Sequence, residues 1–232
     1  MRCVLLLMAL AGCVEPVVPD AGTHASASLQ ACASVRVPER VTTIAAAVTR
    51  LNALPSPVSP GCFVAGLGRP LGLVATTSVL SAQPAAGRVS PRVFVLLPGM
   101  VVSVVAEGGG APLLEFAQWM TPTRTLKGEV ELPLAAPLSD DAPFTRVQSN
   151  LGVSSCGLCH RNEAPHPTID AGFVSDAFRP APATLVPLSE LVAQHVACAE
   201  DPSERCELFH ALFDFGTVEQ GTFSQSLELF VQ

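Results

Sequence analysis

The sequence predicts an α+β protein, with a small antiparallel β-sandwich or barrel and one helix in the first part of the chain, and a small α-helical domain in the second. Three observations support this prediction. Short apolar runs punctuated by glycine and proline follow one another between residues 62 and 132, as in strands joined by tight turns. One stretch before them has helical periodicity. The composition changes near residue 140, and apolar residues at helical spacing return after it.

The N-terminus has the features of an export signal. Arg2 precedes a short apolar run that ends in Leu10-Ala11-Gly12-Cys13, too short to span a bilayer permanently. These four residues resemble the bacterial lipobox, which implies that Cys13 is diacylated and becomes the mature N-terminus. We therefore expect a signal peptide over residues 1–12 and a lipidated flexible tether over residues 13–30. A plain secretory signal or a buried helix is the alternative.

The charge of the chain limits its partners. With 13 basic and 20 acidic residues the net charge is −7, which argues against nucleic acid and against direct binding to an anionic lipid surface. The predicted contact with the lipid bilayer is through the acyl chains on Cys13. The expected location is the cell envelope, with the outer membrane favoured, facing the periplasm or the cell surface.

The predicted β-rich domain covers residues 31–139. A helix is expected over Val41–Leu54, ended by Pro55. The expected strands are Cys62–Ala65, Leu71–Thr77, Arg92–Leu97, Met100–Ala106, Leu113–Ala117 and Thr123–Leu132, and the turn or bulge signals are Pro98-Gly99, Gly108-Gly109-Gly110 and Lys127-Gly128.

No catalytic set stands out in this β-rich part. Glu115, Glu129 and Glu131 are interpreted as lining a solvated face instead of an active site. Trp119-Met120 is interpreted as core or a hydrophobic plug, with a cofactor contact as the alternative. The sequence therefore favours an electron carrier or a binding protein over an enzyme.

The second predicted domain covers residues 140–232 and contains the most specific motif, Cys156-Gly157-Leu158-Cys159-His160. The pattern C-x-x-C-H is typical of covalent haem attachment, in which two thiols bond to one porphyrin and the histidine becomes an iron ligand. We expect one covalent haem c bound by Cys156, Cys159 and His160. The alternatives are a disulfide between the two cysteines, or half of a metal site.

The second axial ligand of such an iron is the next question. Methionine is the common partner, but no methionine follows Met120. His166, His195 and His210 are the nitrogen candidates, and His195 is favoured because it shares a face of a predicted helix, Leu188–Ala199, with apolar residues. The competing interpretation of His195 is a core residue, and a five-coordinate iron is also possible.

The remaining cysteines predict disulfides. With Cys3 lost in the signal, Cys13 lipidated and two cysteines on haem, four remain, an even number consistent with two disulfides in an oxidising compartment. Proximity in sequence favours Cys32–Cys62 and Cys198–Cys206, although four cysteines allow three pairings. The second bridge would connect the Leu188–Ala199 helix to a helix that opens at Asp201-Pro202-Ser203-Glu204.

Residues 141 to about 216 resemble a short c-type cytochrome domain. The resemblance depends on Phe144, on the stretch Ser154 to His160 and on the helices predicted after it. It implies a cytochrome c-like fold for residues 140–232, electron transfer as the function and a redox protein as the partner. The alternative is a disulfide-stabilised surface lipoprotein with a structural or interaction role and no haem, in which Cys156 and Cys159 pair.

Overall fold

A computed structural model describes residues 25–35, 40–134, 137–149 and 151–230. The predicted signal peptide, Cys13 and most of the predicted tether lie outside the described residues. The helices are α1 (Ala27–Ser34), α2 (Ile44–Ala53), α3 (Pro60–Ala65), α4 (Ala142–Val147), α5 (Leu188–Ala197) and α6 (Glu204–Phe213). The strands are β1 (Leu71–Thr76), β2 (Arg92–Leu97), β3 (Met100–Val105), β4 (Leu113–Thr121), β5 (Arg124–Glu131), β6 (Ala164–Pro165), β7 (Phe173–Asp176), β8 (Phe178–Arg179), β9 (Leu185–Val186), β10 (Val218–Gln220) and β11 (Glu228–Leu229).

One mixed sheet of nine strands organises the molecule. Eight of its strands run in the order β10-β1-β2-β3-β4-β5-β7-β6, and β9 pairs with β1 off this path. Neighbours from β1 to β5 are antiparallel, whereas β10 is parallel to β1. Strands β8 and β11 form a separate parallel pair.

The two faces of the sheet have different chemistry, because successive side chains of a strand point to opposite sides. Phe116 and its apolar neighbours on one face are buried in the core, where Phe116 meets Phe63 of α3 edge to face with ring centroids 6.2 Å apart. The other face carries Arg92, Glu115 and Lys127, which line a cleft. We call this second side the polar face of the sheet.

The apolar face is covered by a layer of helices. Helix α1 packs on α3, and α3 packs on α6. One disulfide joins Cys32 of α1 to Cys62 of α3, and the other joins Cys198, just after α5, to Cys206 of α6. Both pairings predicted from the sequence are confirmed.

The predicted fold class is wrong. The described residues form neither a small antiparallel sandwich or barrel nor a small helical cytochrome c-like domain, because strands from both halves of the chain join one mixed sheet: β7 pairs with β5, and β10 pairs with β1. Phe209 and Phe213 of α6 belong to the same core as Phe63. Strands of two to four residues are too short to show alternation, and the spacing in α5 and α6 suits helices that cover a sheet as well as a bundle.

Residues 62–65 are helical, although a strand is predicted there. Pro60 is the first residue of α3, and the Ser59 hydroxyl caps it by accepting from the Cys62 N–H at 3.0 Å. The residues from 61 to 65 are all buried. A short run that is buried on every side shows no period, so the pattern could not distinguish helix from strand.

Within the described residues, no helix is both long enough and apolar enough to cross a bilayer.

Candidate functional site at the polar face

The Cys156–His160 segment borders the cleft on the polar face. A 3-10 helix over Ser155–Leu158 carries Cys156, and the Ser154 hydroxyl caps it by accepting from the N–H groups of Cys156 and Gly157. The Glu163 carboxylate accepts in turn from the Ser154 N–H at 2.7 Å. A Cβ at Gly157 would lie 2.8 Å from Glu163 Oε1. Glycine at this motif position therefore allows the carboxylate to approach and hold the loop.

His160 is held in one tautomer and one orientation. Its Nδ1 lies 2.7 Å from the carbonyl oxygen of Asp176, which can only accept, so Nδ1 carries a proton and donates it. The ring stacks on Phe178 with centroids 5.4 Å apart. Burial, assisted by the positive charge of Lys127, lowers the pKa of His160 to about 3. The imidazole is therefore neutral, and no hydrogen bond from a described residue involves Nε2.

Cys156 and Cys159 are free thiols. Both line the cleft together with His160. Burial raises the pKa of Cys156 to about 11, so this thiol stays protonated, whereas Cys159 is exposed. The structure thus brings together the three residues that the motif predicts to hold haem.

Aromatic side chains form much of the cleft wall. Six of its lining residues are phenylalanine or tryptophan: Phe94, Phe116, Trp119, Phe178, Phe223 and Phe230. Trp119 lines the cleft rather than the core, and Met120 beside it is 41 % exposed, so the core interpretation of this pair is wrong. A wall of this kind can surround a flat apolar group.

Three basic side chains also line the cleft: Arg92, Lys127 and Arg179. Arg92 forms an ion pair with Glu115 and lies over the Phe94 ring at 4.8 Å. Lys127 is only 6 % exposed, and burial lowers its pKa to about 8. Lys127 makes no hydrogen bond or ion pair with the described residues. Its charge interacts through space with Cys156, Glu115 and Glu163.

Two carboxylates face each other across neighbouring strands of the polar face. Glu115 of β4 is paired in register with Glu129 of β5, and like charges in this arrangement repel. Burial and then the Glu115 charge raise the pKa of Glu129, while Arg146 lowers it through an ion pair at 2.8 Å. Both glutamates line the cleft, so they border the motif instead of an open solvated face.

The three candidates for a distal ligand lie elsewhere in the described part of the chain. His195 Nε2 is 2.6 Å from Asp214 Oδ1, and His210 contacts the same carboxylate. His166 accepts from the Thr168 N–H on the turn between β6 and β7. None of the three histidines lines the cleft that holds His160.

Sequence reasoning missed Arg92 and Lys127 as neighbours of the motif. The alternation in β5 places Thr125, Lys127 and Glu129 on one side of the strand, and this signal could have identified a polar face. It could not reveal that the Cys156–His160 segment covers that face, because the two segments meet only through tertiary packing.

Comparison of the chain with protein families, with curated proteins and with solved structures finds no match. The chemistry of the cleft therefore carries the functional argument.

Proposed function

We propose that this protein is an exported lipoprotein, anchored through acylated Cys13, that carries one haem c on Cys156 and Cys159 with His160 as iron ligand and transfers electrons to a redox protein. The observation that carries the proposal is the fixed orientation and tautomer of the neutral His160 ring. Its Nδ1 donates to the Asp176 carbonyl, and the neutral ring keeps Nε2 for a metal. Metal-binding histidines are typically oriented by such a second hydrogen bond.

The residues present fit a covalently attached haem. Two unpaired thiols and the imidazole border one cleft whose wall is rich in aromatic rings. A thioether at Cys156 would be a neutral group, which suits a buried position where the ionised thiolate is disfavoured.

Haem bound here would supply an iron centre that gains and loses one electron. The protein's own residues set the conditions around it. The Asp176 carbonyl and the Phe178 ring hold His160 in place. The Lys127 charge favours the state with fewer positive charges, which is the reduced state.

The proposed location and partners follow from the N-terminal motif. Acylation of Cys13 would keep the protein at the cell envelope, with the outer membrane favoured. The acidic chain, at net charge −7, suits a redox partner with a basic docking surface and does not suit nucleic acid.

A haem-free surface lipoprotein with a structural or interaction role is the second candidate. The two disulfides in the helical layer favour it mildly, because they stabilise an extracytoplasmic fold without any cofactor. This candidate requires Cys156 and Cys159 to pair with each other in the exported protein.

The test is the intact mass and haem content of the full chain, expressed with its own N-terminus in a bacterium that has a cytochrome c maturation system. We expect a detergent-extracted protein that begins at a diacylated Cys13, carries the mass of one haem and keeps haem stain after denaturation. Replacing both thiols, Cys156→Ala with Cys159→Ala, should remove the stain and the haem mass, because no thioether can form.

Leu158→Ala is the matched control, since Leu158 lies within the motif and is 87 % exposed. It should retain haem. A colourless wild-type protein with a Cys156–Cys159 disulfide would establish the haem-free candidate. An unmodified N-terminus at another residue would overturn the anchor.

A further inference from the structure

A second cluster of metal-binding side chains lies where α5 meets α6, away from the cleft. Asp214 accepts contacts from two imidazoles, with His195 Nε2 at 2.6 Å from Oδ1 and His210 Nδ1 at 2.9 Å from Oδ2. The three possible ligand atoms all lie within 4.8 Å of one another. The side chains are 12 %, 7 % and 7 % exposed in the order His195, His210 and Asp214.

The hydrogen bonds of His210 require either a second proton or a metal ion in this cluster. Its Nε2 lies 3.0 Å from the carbonyl oxygen of Cys198, and a carbonyl only accepts, so Nε2 carries a proton. A neutral His210 then presents the lone pair of Nδ1 to the Asp214 carboxylate, and two acceptors repel each other at 2.9 Å. Either a second proton or a metal ion must lie between them.

We propose that His195, His210 and Asp214 form a binding site for a divalent transition-metal ion, with Zn²⁺ as the ion the site suits. This site is separate from the haem motif and does not depend on the proposed function.

The ligand set matches zinc chemistry. Two imidazoles and one carboxylate are common zinc ligands, and three protein ligands leave a fourth position for water. Ligand atoms around tetrahedral zinc lie roughly 3.3 Å apart, given bonds of about 2.0–2.1 Å. The two hydrogen-bonded pairs, at 2.6 and 2.9 Å, therefore need to separate by about 0.4–0.7 Å, and the widest pair of ligand atoms, which lies within 4.8 Å, needs to close.

The surroundings hold the ligands in place. The Cys198 carbonyl would fix the tautomer of His210, as a second-sphere partner of a metal-bound histidine does. The His195 ring stacks on Phe213 with centroids 5.2 Å apart. The Cys198–Cys206 disulfide joins the end of α5 to the first turns of α6, so the segments that carry the two histidines are covalently tied.

Charge also favours a cation at this place. His195 and His210 lie in the last turns of α5 and α6, and Asp214 is the C-cap of α6. Two helix C-termini, each with partial negative charge, thus meet at the site. Arg69 interacts with the Asp214 charge through space. Its guanidinium donates to the carbonyl oxygens of Ala211 and Leu212, and within the described residues it makes no hydrogen bond to the Asp214 carboxylate.

His210 also lines a surface cleft together with Glu200, Asp201 and Glu207. Three acidic side chains in this cleft raise the local concentration of cations next to His210.

The experiment measures zinc bound by the full-length protein after chelator treatment, by calorimetry and by elemental analysis. We expect one Zn²⁺ per chain. His195→Gln and Asp214→Asn should each weaken binding by about 100-fold or more, since loss of a second-sphere partner alone costs roughly 10- to 100-fold. His166→Gln removes a histidine outside the cluster and should leave the affinity unchanged.

A second measurement does not depend on the stability of the variants. Cu²⁺ bound to the wild-type chain should show electron paramagnetic resonance coupling to two imidazole nitrogens, and the Cys156–His160 motif, with one histidine, cannot give that signal. Wild-type protein that binds no zinc, zinc affinity unchanged in His195→Gln and Asp214→Asn, or coupling to a single nitrogen would each overturn the proposal.

Discussion

Lys127 is the only lysine in the chain, and it is buried in the polar face. Removing an ammonium group from water is unfavourable, and the pKa of about 8 expresses that penalty. Its charge acts on both Cys156 and His160. A residue that destabilises the fold while facing the most specific motif is consistent with selection for the electrostatics of the cleft.

Replacing Lys127 with methionine should stabilise haem-free protein at pH 7. The expected gain in the free energy of unfolding is about 1–3 kcal/mol, because apolar replacement of a buried charge is often stabilising. The folded-state pKa of about 8 lies below the unfolded value of 10.5. The penalty is therefore complete below pH 8 and disappears as the pH rises from about 8 to 10.5. Urea unfolding at pH 7 and at higher pH measures both effects.

Lys127→Arg keeps the charge and serves as the control, with no gain expected. Because Lys127 is the sole lysine, carbon-13 labelling of lysine gives one side-chain NMR signal. A titration midpoint near 10.5, the ordinary value, would contradict the buried environment.

Side chains that meet because they are close in sequence could be predicted to lie at one site. Side chains that meet only through tertiary packing could not. The spacing of Cys156, Cys159 and His160 identified a local constellation, and the structure does place these side chains around one cleft. The apolar helix face favours His195 as the second iron ligand, but that face turns toward Phe213 and Asp214. A helical period shows which residues share a face and does not show what the face contacts.

At the scale of elements, the strands of the first half were predicted closely because turn residues bound them. Strand β2 has the expected limits, β1, β3 and β5 differ from the expected limits by one residue at one or both ends, and β4 runs four residues beyond its expected end. Lys127-Gly128, however, lies inside β5 and is neither a turn nor a bulge. A Cβ at Gly128 would lie 3.1 Å from Pro143 of α4, so the glycine permits a helix to approach the strand, which sequence alone does not reveal.

The turn between β2 and β3 gives a test of the hairpin. Gly99 has φ of +85°, and a Cβ there would lie 2.7 Å from the Thr42 carbonyl oxygen. We expect Gly99→Ala to lower the free energy of unfolding by about 1–3 kcal/mol through both backbone strain and the clash. Chemical denaturation measures the loss.

Gly87→Ala is the matched control, since Gly87 has φ of +89° but no atom within 4 Å of the added Cβ. It isolates the backbone strain and should be the milder change. Equal losses in the two variants would show that the contact with Thr42 is unimportant.

At the scale of the whole molecule, the disulfides and the Cys156–His160 motif lie on opposite sides of the sheet. The helical layer contains both disulfides, and the Cys156–His160 motif lies on the opposite face of the sheet. The apolar patterns did not predict that both halves of the chain share one core, because pairing between β1 and β10 depends on contacts between residues far apart in sequence.

The two disulfides should stabilise the molecule unequally. Cys32 and Cys62 are 30 residues apart, and Cys198 and Cys206 are 8 apart. A longer loop loses more unfolded-state entropy when it is closed. Replacing both cysteines of the first bridge with alanine should lower the free energy of unfolding by about 3–4 kcal/mol, about 1 kcal/mol more than the same change in the second. Urea unfolding of the two double variants compares them directly, and a reversed order would refute the loop-entropy argument.

The parallel pairing of β1 with β10 has a consequence for how the chain matures. Leu71 meets Val218, so one side of β1 has no β10 to pair with until nearly the whole polypeptide has been made. Sheets built from such distant segments form slowly. In an exported chain, as proposed above, this delay would help to keep the polypeptide from completing its fold before it has crossed the membrane, because the edge of β1 that β10 covers stays open until residues 218–220 have been made.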